Sequence, residues 1–225
     1  RGETTTFPFE QLNAESVERL SKFMATQPAV EGSNMHMGLL QAQEMLAADK
    51  NVEDKYKYMI LVSDGIAYIW DENGENYGLN AEQVDGSSAL FVASPEGWQI
   101  KYGNNNPPEN WTEHFESLQG KVNNAIQLYA AKYNRNALVE KYIPYSQRDD
   151  YASTVDVALY KSYQIYNTLE SQYNCYAVLA SEDIDAIAYP WGPSFMNYLS
   201  NGKDVSFDDI RNDIYYLLGA GSTVD

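Results

Sequence analysis

Two short segments of the chain have oxygen-bearing side chains at spacings that suit metal chemistry. The first reads Glu-Gly-Ser-Asn-Met-His-Met-Gly-Leu and has Ser33 on a polar turn ahead of a helical pattern. The second reads Met-Ile-Leu-Val-Ser-Asp-Gly and ends its apolar run with Asp64. Hydroxyl and carboxylate oxygens are the hard ligands that Mg²⁺ accepts. Ser33 and Asp64 are therefore the candidate metal ligands.

Each of these residues also has a purely structural interpretation. Serine is a favoured helix N-cap, so Ser33 can be explained by the helix that follows it. Asp-Gly is a common exit from a strand into a turn, which explains Asp64 as well. The two occur together, however, with a patterned helix and a buried strand between them. This combination favours the metal site.

The elements around the two segments predict half of an α/β fold. Apolar residues at helical spacing predict helices over 14–26 and from Leu39 through Ala48, and residues 4–9 suggest a short edge strand. The run over 56–63 is typical of a central parallel strand buried on both faces. Asp64 follows it, at the carboxyl end of the strand, where ligands bind in such folds.

The pattern changes after this strand. Two hairpins are predicted, one around Asn73-Gly74 and one around residues 94–97, followed by a helix traced from Phe115 to Tyr133. The α/β rhythm then returns with a helix over 153–172 and a buried strand over 175–180. Two more helices, over 193–199 and 207–218, complete the chain.

We therefore predict an α/β, Rossmann-like doubly wound fold with a large α+β insertion. Residues 1–65 form its middle part, and residues 66–152 form an inserted arm. Residues 153–225 form its C-terminal part and the start of a linker. A short βαβ crossover would otherwise connect the two buried strands, and for that reason the middle stretch is interpreted as an insertion.

Ser33 and Asp64 with their flanking residues resemble the second and third parts of the metal-ion-dependent adhesion site of von Willebrand factor A-type domains. Ser33 stands where the family usually has threonine, which keeps the hydroxyl, and Asp64 stands at the aspartate position. The resemblance covers residues 4–65 and 153–218. It implies that Ser33 and Asp64 bind Mg²⁺, with Mn²⁺ or Ca²⁺ as alternatives.

The chain departs from the family in one respect. The first strand of the family ends in Asp-x-Ser-x-Ser, which supplies an aspartate and two serines, and no such motif occurs here. The chain begins at about the family's third strand. We therefore expect the metal only where that segment is supplied, because Ser33 and Asp64 alone make at most half of a site.

The predicted inserted arm narrows the resemblance to one group of proteins within the family. It is similar to the arms of tip adhesins from pili of Gram-positive bacteria. The segment over 189–199 and the ending Ser-Thr-Val-Asp also resemble those adhesins. This likeness implies an extracellular, cell-surface location in the cell wall or at a pilus tip. It also implies two kinds of partner: other pilus subunits, and a host matrix or cell-surface protein that supplies a carboxylate.

Aromatic residues of the arm are candidates for the contact with that host protein. Tyr68, Trp98 and Trp111 are the main candidates, with Tyr77 and Tyr102 beside them, because aromatic rings are often the anchors of an interface. The alternative is that these rings pack inside the arm.

Charge and composition exclude several other functions. The chain has 15 Lys and Arg against 32 Asp and Glu, a net charge of −17, so it would repel the phosphates of nucleic acids and anionic membranes. No apolar run is long enough for membrane insertion. Cys175 is the single cysteine and lies in the pattern of a buried strand. We expect it to pack there as a small hydrophobic residue. His36 and His114 have no partner at metal-ligand spacing, and we assign them no function.

Two rival functions remain. The chain could be the A-type scaffold subunit of an intracellular metal-chelatase complex, although it shows neither an ATPase partner region nor a basic docking surface. An enzyme is the weaker rival. The sequence has no nucleophile elbow, phosphate-binding loop or His–carboxylate pairing, so we predict that the protein is not an enzyme.

Overall fold

Two parallel strands form the centre of the fold in this computed structural model. Strand β1 (Tyr58–Ser63) pairs along its whole length with β6 (Asn174–Leu179), which places Ser63 opposite Leu179. Parallel neighbours need a crossover connection rather than a tight turn. In the part of this connection that the structure describes there are two hairpins and two helices. The chain therefore has a mixed α/β fold with a small parallel sheet, which confirms the predicted class.

The structure describes residues 4–27, 33–67, 69–73, 75–78, 91–94, 97–100, 107–132, 152, 154–180, 190–202 and 206–220. Within these ranges it contains six α-helices, six strands and one short 3-10 helix. The helices are α1 (Ala14–Ala25), α2 (Met35–Ala48), α3 (Trp111–Lys132), α4 (Thr154–Glu170), α5 (Trp191–Leu199) and α6 (Phe207–Ala220).

Two antiparallel hairpins follow β1, as the turn residues predict. In the first, β2 (Ile69–Glu72) pairs with β3 (Glu75–Gly78). Asn73 has a φ of 56°, in the left-handed region that an Asn-Gly hairpin turn uses. In the second, β4 (Phe91–Ser94) pairs with β5 (Gly97–Ile100).

The two N-terminal predictions have different outcomes. Helix α1 begins at a capping box, in which the Asn13 side chain accepts from the Ser16 N–H at 2.9 Å and Ser16 Oγ accepts from the Asn13 N–H at 2.8 Å. The edge strand predicted over residues 4–9 is wrong, since these residues have no regular secondary structure. Pro8, in the middle of this segment, lacks the N–H that a strand ladder needs.

One hydrophobic core joins helices from both sides of the predicted arm. Trp70 of β2 and Trp191 of α5 are both fully buried, as is Leu159 of α4. Helix α2 packs on α4 and on β2, and α3 packs on α4. The first strand and the long helix of residues 66–152 thus bury their apolar side chains in the same core as the α/β elements. The division of the chain at residues 65 and 152 stays a prediction.

Candidate metal site

Helix α2 is anchored at its C-terminal end by a buried lysine. Lys57 Nζ donates to the carbonyl oxygens of Leu46 and Asp49, both at 2.7 Å, and to the Asp54 carboxylate at 2.8 Å. Lys57 is only 6% exposed, so these bonds satisfy a cation that burial would otherwise penalise. The last turn of α2 is therefore held beside the beginning of β1.

The opposite end of α2 lies beside the chain that leaves β1. The Ile69 N–H of β2 donates to the Ser33 carbonyl oxygen at 3.3 Å. The two ends of α2 therefore bond to residues on either side of β1 in the sequence, Lys57 before the strand and Ile69 after it. The turn that carries Ser33 thus lies beside the first residue of β2, which follows Asp64 by five positions in the sequence.

The N-cap of α2 is Asn34 rather than Ser33. The Asn34 side chain accepts from the Met37 N–H at 2.9 Å. The capping interpretation of Ser33 is therefore wrong. Ser33 is exposed, and its hydroxyl has no hydrogen-bond partner among the described residues.

The turn over residues 63–66, here called the Asp64 turn, is closed by its own side chains. Asp64 Oδ1 accepts from the Ile66 N–H at 2.9 Å, and Ser63 Oγ accepts from the Gly65 N–H at 3.0 Å. Such bonds hold a carboxylate in one orientation without a neighbouring element. They use one oxygen of Asp64, so Oδ2 can accept a further ligand.

The Asp64 turn packs directly on the first turn of α5. Gly65 has a φ of +78°, and a Cβ at this residue would lie 2.1 Å from the carbonyl oxygen of Gly192. A Cβ at Gly192 would in turn lie 2.5 Å from the carbonyl oxygen of Asp64. Both positions therefore require glycine, and the close backbone contact sets the direction in which the turn leaves the sheet.

The two predicted ligands supply only part of a metal site. Mg²⁺ takes six oxygen ligands, several of them water, and proteins commonly contribute one or two carboxylates. The Ser33 hydroxyl and Asp64 Oδ2 suit this chemistry. Within the ranges that the structure describes, no group of three His, Cys, Asp or Glu residues could hold a metal ion. The remaining ligands would have to come from elsewhere, as the family resemblance implies.

The predicted aromatic contacts have three outcomes. Tyr68 lies outside the described residues. Trp98 lies in β5, but its side chain is outside the described part of the structure. Trp111 is 5% exposed, and its Nε1–H donates to Ser194 Oγ at 3.0 Å. Trp111 therefore packs in the core, although on α5 and not inside the predicted arm as the alternative had it, and little of its ring is left for a partner.

Trp111 belongs to a cluster of rings between α3, α4 and α5. Its ring centroid lies 5.4 Å from that of Phe115 and 5.3 Å from that of Phe195. The Phe115 ring stacks on Tyr163 at 4.9 Å, and Tyr163 lies 5.4 Å from Tyr198. We call Trp111, Phe115, Tyr163, Phe195 and Tyr198 the aromatic cluster.

Both histidines have partners that are far away in the sequence. His36 Nδ1 accepts from the Asp71 N–H at 3.1 Å, and burial lowers the pKa of His36 to about 4, with the charge of Lys161 as a second cause. His114 Nε2 lies 2.9 Å from Asp156 Oδ1, and the Asp156 side chain is fully buried. The pairing of His114 with Asp156 shows that the expectation of no His–carboxylate pairing is wrong. Spacing along the chain could not reveal these pairs, because the partners are 35 and 42 residues apart.

Cys175 lies in β6, as predicted. Burial raises the pKa of its thiol to about 12, and the nearby Glu170 carboxylate acts in the same direction. A thiol with such a pKa stays protonated at neutral pH and is a poor nucleophile or metal ligand. Its role is packing.

A scan against protein-family models, a search of curated proteins and a search of solved structures each found no match to this chain. The resemblance to A-type domains therefore depends on the segments around Ser33 and Asp64 and stays a prediction. In the described part of the chain, no helix has the length and apolar composition needed to cross a membrane.

Proposed function

We propose that this chain belongs to an A-type adhesion domain, and that it binds a host matrix or cell-surface protein through a metal ion. The observation that carries the proposal is the hydrogen bond from Ile69 to the Ser33 carbonyl. This bond joins the turn that carries the Ser33 hydroxyl to the strand that follows Asp64. It therefore supports a site that includes the Ser33 hydroxyl and the Asp64 carboxylate.

Asp64 and Ser33 have separate tasks in this proposal. Asp64 supplies the negative charge through Oδ2, while its Oδ1 keeps the turn closed by accepting from the Ile66 N–H. Ser33 supplies a neutral oxygen from a position at the start of α2, whose cap is satisfied by Asn34. Mg²⁺, when bound, supplies a coordination position that a carboxylate of the partner protein can fill.

The charge of the chain supports the same interpretation. A net charge of −17 attracts divalent cations and repels acidic surfaces. A partner that brings one carboxylate to the metal therefore gains little from other acidic residues. The fold, the location at a pilus tip and the other pilus subunits as partners belong to the same proposal.

Calorimetry of the native protein with MgCl₂, before and after EDTA treatment, tests the metal site. We expect Mg²⁺ binding that Asp64→Asn weakens at least about tenfold, which is about 1.4 kcal/mol. Asn keeps the oxygen that accepts from Ile66, so the turn stays closed while the charge is lost. Ser33→Ala should weaken binding by a smaller factor, since it removes a neutral ligand.

Two matched variants control for changes at the surface. Asp208→Asn removes an exposed carboxylate on α6, and Ser117→Ala removes an exposed hydroxyl that donates to the His114 carbonyl within α3. Neither should change Mg²⁺ binding. Equal Mg²⁺ affinity in Asp64→Asn and Asp208→Asn would reject Asp64 as a ligand.

Adhesion is tested by binding to immobilised collagen, fibronectin and laminin in Mg²⁺ and in EDTA. We expect binding to at least one of these proteins that EDTA and Asp64→Asn both remove. Binding that is the same in Mg²⁺ and EDTA would contradict a metal bridge.

A further inference from the structure

His36 is buried where three elements of the fold meet. It is the second residue of α2, is 6% exposed, and accepts a hydrogen bond from the Asp71 backbone N–H of β2. Helix α2 also packs on α4. The imidazole is therefore a direct link between α2 and the hairpin formed by β2 and β3.

This hydrogen bond requires an Nδ1 that has no proton. A neutral imidazole has one donor and one acceptor nitrogen, whereas the protonated ring has two donors. His36 can accept from the Asp71 N–H only while it is neutral. A proton on Nδ1 would place two N–H groups against each other and break the link.

The elements that pack on α2, namely β2 and α4, carry charged residues. Asp71 and Glu72 belong to β2, and Lys161 belongs to α4, while Glu44 of α2 itself is exposed. Lys161 Nζ lies 3.0 and 2.6 Å from the two carboxylate oxygens of Glu72. Glu72 is thus paired with Lys161, and the positive charge of Lys161 acts against protonation of His36.

We propose that His36 is an acid-sensitive latch that holds the β2–β3 hairpin on helix α2. Protonation breaks the bond to Asp71 and raises the fraction of molecules in which the hairpin has opened, against the burial of Trp70 and the Lys161–Glu72 pair, while β1 and β6 remain packed. The Ile69 N–H that bonds the Ser33 carbonyl belongs to the same strand. Release therefore also frees the Ser33 turn, and the resulting loss of metal affinity is the one consequence that rests on the proposed function.

The direction of the pH effect follows from the two states. A released His36 has the ordinary pKa of about 6.5, and the latched one has a pKa of about 4. The released state therefore binds more protons between these values. The latch is fully stable above pH 6.5 and weakens as the pH falls toward 4. From pH 7.5 to pH 5.0 the opening equilibrium rises about 30-fold.

Amide hydrogen exchange at pH 7.5 and pH 5.0, without added metal and corrected for the intrinsic effect of pH, tests the latch. We expect peptides that cover β2 and the first turn of α2 to exchange up to about 30-fold faster at pH 5.0. Peptides that cover β6 should keep their protection. Equal acceleration in β6 would mean global unfolding and would overturn the proposal.

The two histidines of the chain offer a matched pair of variants. In His36→Asn the amide oxygen can accept from the Asp71 N–H but does not titrate, so the acid response of β2 should disappear. In His114→Gln the amide nitrogen can still donate to Asp156, and the response should persist. The opposite pattern would assign the acid response to His114 and reject the latch.

A direct titration keeps the proposal testable if His36→Asn does not fold. His114→Gln leaves His36 as the single histidine, so its ring protons can be followed by NMR as the pH is lowered. We expect a midpoint well below 6.5 and near 4. A midpoint at the ordinary value of about 6.5 would overturn the latch. Because no metal is involved, this result is independent of the Mg²⁺ titration.

Discussion

The Asp64 turn and the aromatic cluster both contain residues that the sequence marks as candidates for binding. In the Asp64 turn, the side chains of Ser63 and Asp64 bond to backbone N–H groups two residues further along the chain. In the aromatic cluster, Trp111 bonds to Ser194, which lies 83 residues further along the chain.

This difference separates a surface site from a structural contact. Local bonds hold the Asp64 carboxylate in place and leave one of its oxygens for a ligand. The Trp111 ring is held by α5 and by neighbouring rings, and almost none of its surface reaches solvent. A residue type that is common at interfaces is therefore a poor guide to function until its burial is known.

The largest expected effect is the loss of the tryptophan ring. Trp111→Ala should lower the free energy of unfolding by about 3–5 kcal/mol, because it opens a cavity between α3 and α5. Trp111→Phe keeps a ring but loses the bond to Ser194, and it should cost less. Chemical denaturation monitored by circular dichroism measures both. Unchanged stability in Trp111→Ala would restore the ring as a candidate for ligand binding.

Gly65→Ala should have the next largest effect, about 3 kcal/mol, because its methyl group meets the backbone of Gly192 and the φ is left-handed. Gly202→Ala is the matched control. Gly202 has a φ of +71°, but a methyl group added there would meet no atom within 4 Å. It should cost only about 1–2 kcal/mol in the same denaturation experiment. Equal losses in the two variants would mean that contact with α5 does not hold the Asp64 turn.

Substitution of Asp64 itself should have the smallest effect on folding. Asp64→Ala removes the bond to the Ile66 N–H and should cost about 1 kcal/mol, whereas Asp64→Asn keeps an acceptor and should cost about 0.5 kcal/mol or less. Thermal unfolding followed by circular dichroism compares the two. A large loss in Asp64→Asn would show that the charge serves the fold rather than a ligand.

Much of the secondary structure could be predicted, because its causes are local. The spacing of Leu39, Met45 and Leu46 predicts α2, and the apolar run before Asp64 predicts β1. Both elements are present, although α2 begins at Met35, four residues before the predicted start, and β1 begins at Tyr58, two residues after it.

Packing was predicted less well. The expectation that β1 is buried on both faces is wrong, since Ile60 and Val62 are 39% and 49% exposed. The apolar stripe on α1 is also partly exposed. Val17 and Met24 are 46% and 67% exposed, so helical spacing alone did not reveal whether a core lies against them.

The candidate site was predictable only in part. The types of Ser33 and Asp64 and their place at the ends of elements follow from the sequence. Which residue caps α2 does not, since Ser33 and Asn34 are both good caps and only backbone geometry separates them. The contact between Gly65 and Gly192 could not be predicted either, because no local sequence pattern indicates that these two glycines meet.

The sequence by itself determined where helices, strands and tight turns form, and which side chains could bind a cation. These properties depend on residues within a few positions of one another. Only the tertiary structure decided that Trp111 is core, that His36 links α2 to β2, and that Ser33 lies beside the chain leaving β1. Burial and long-range hydrogen bonds come from elements that meet only after folding, so no local pattern could encode them.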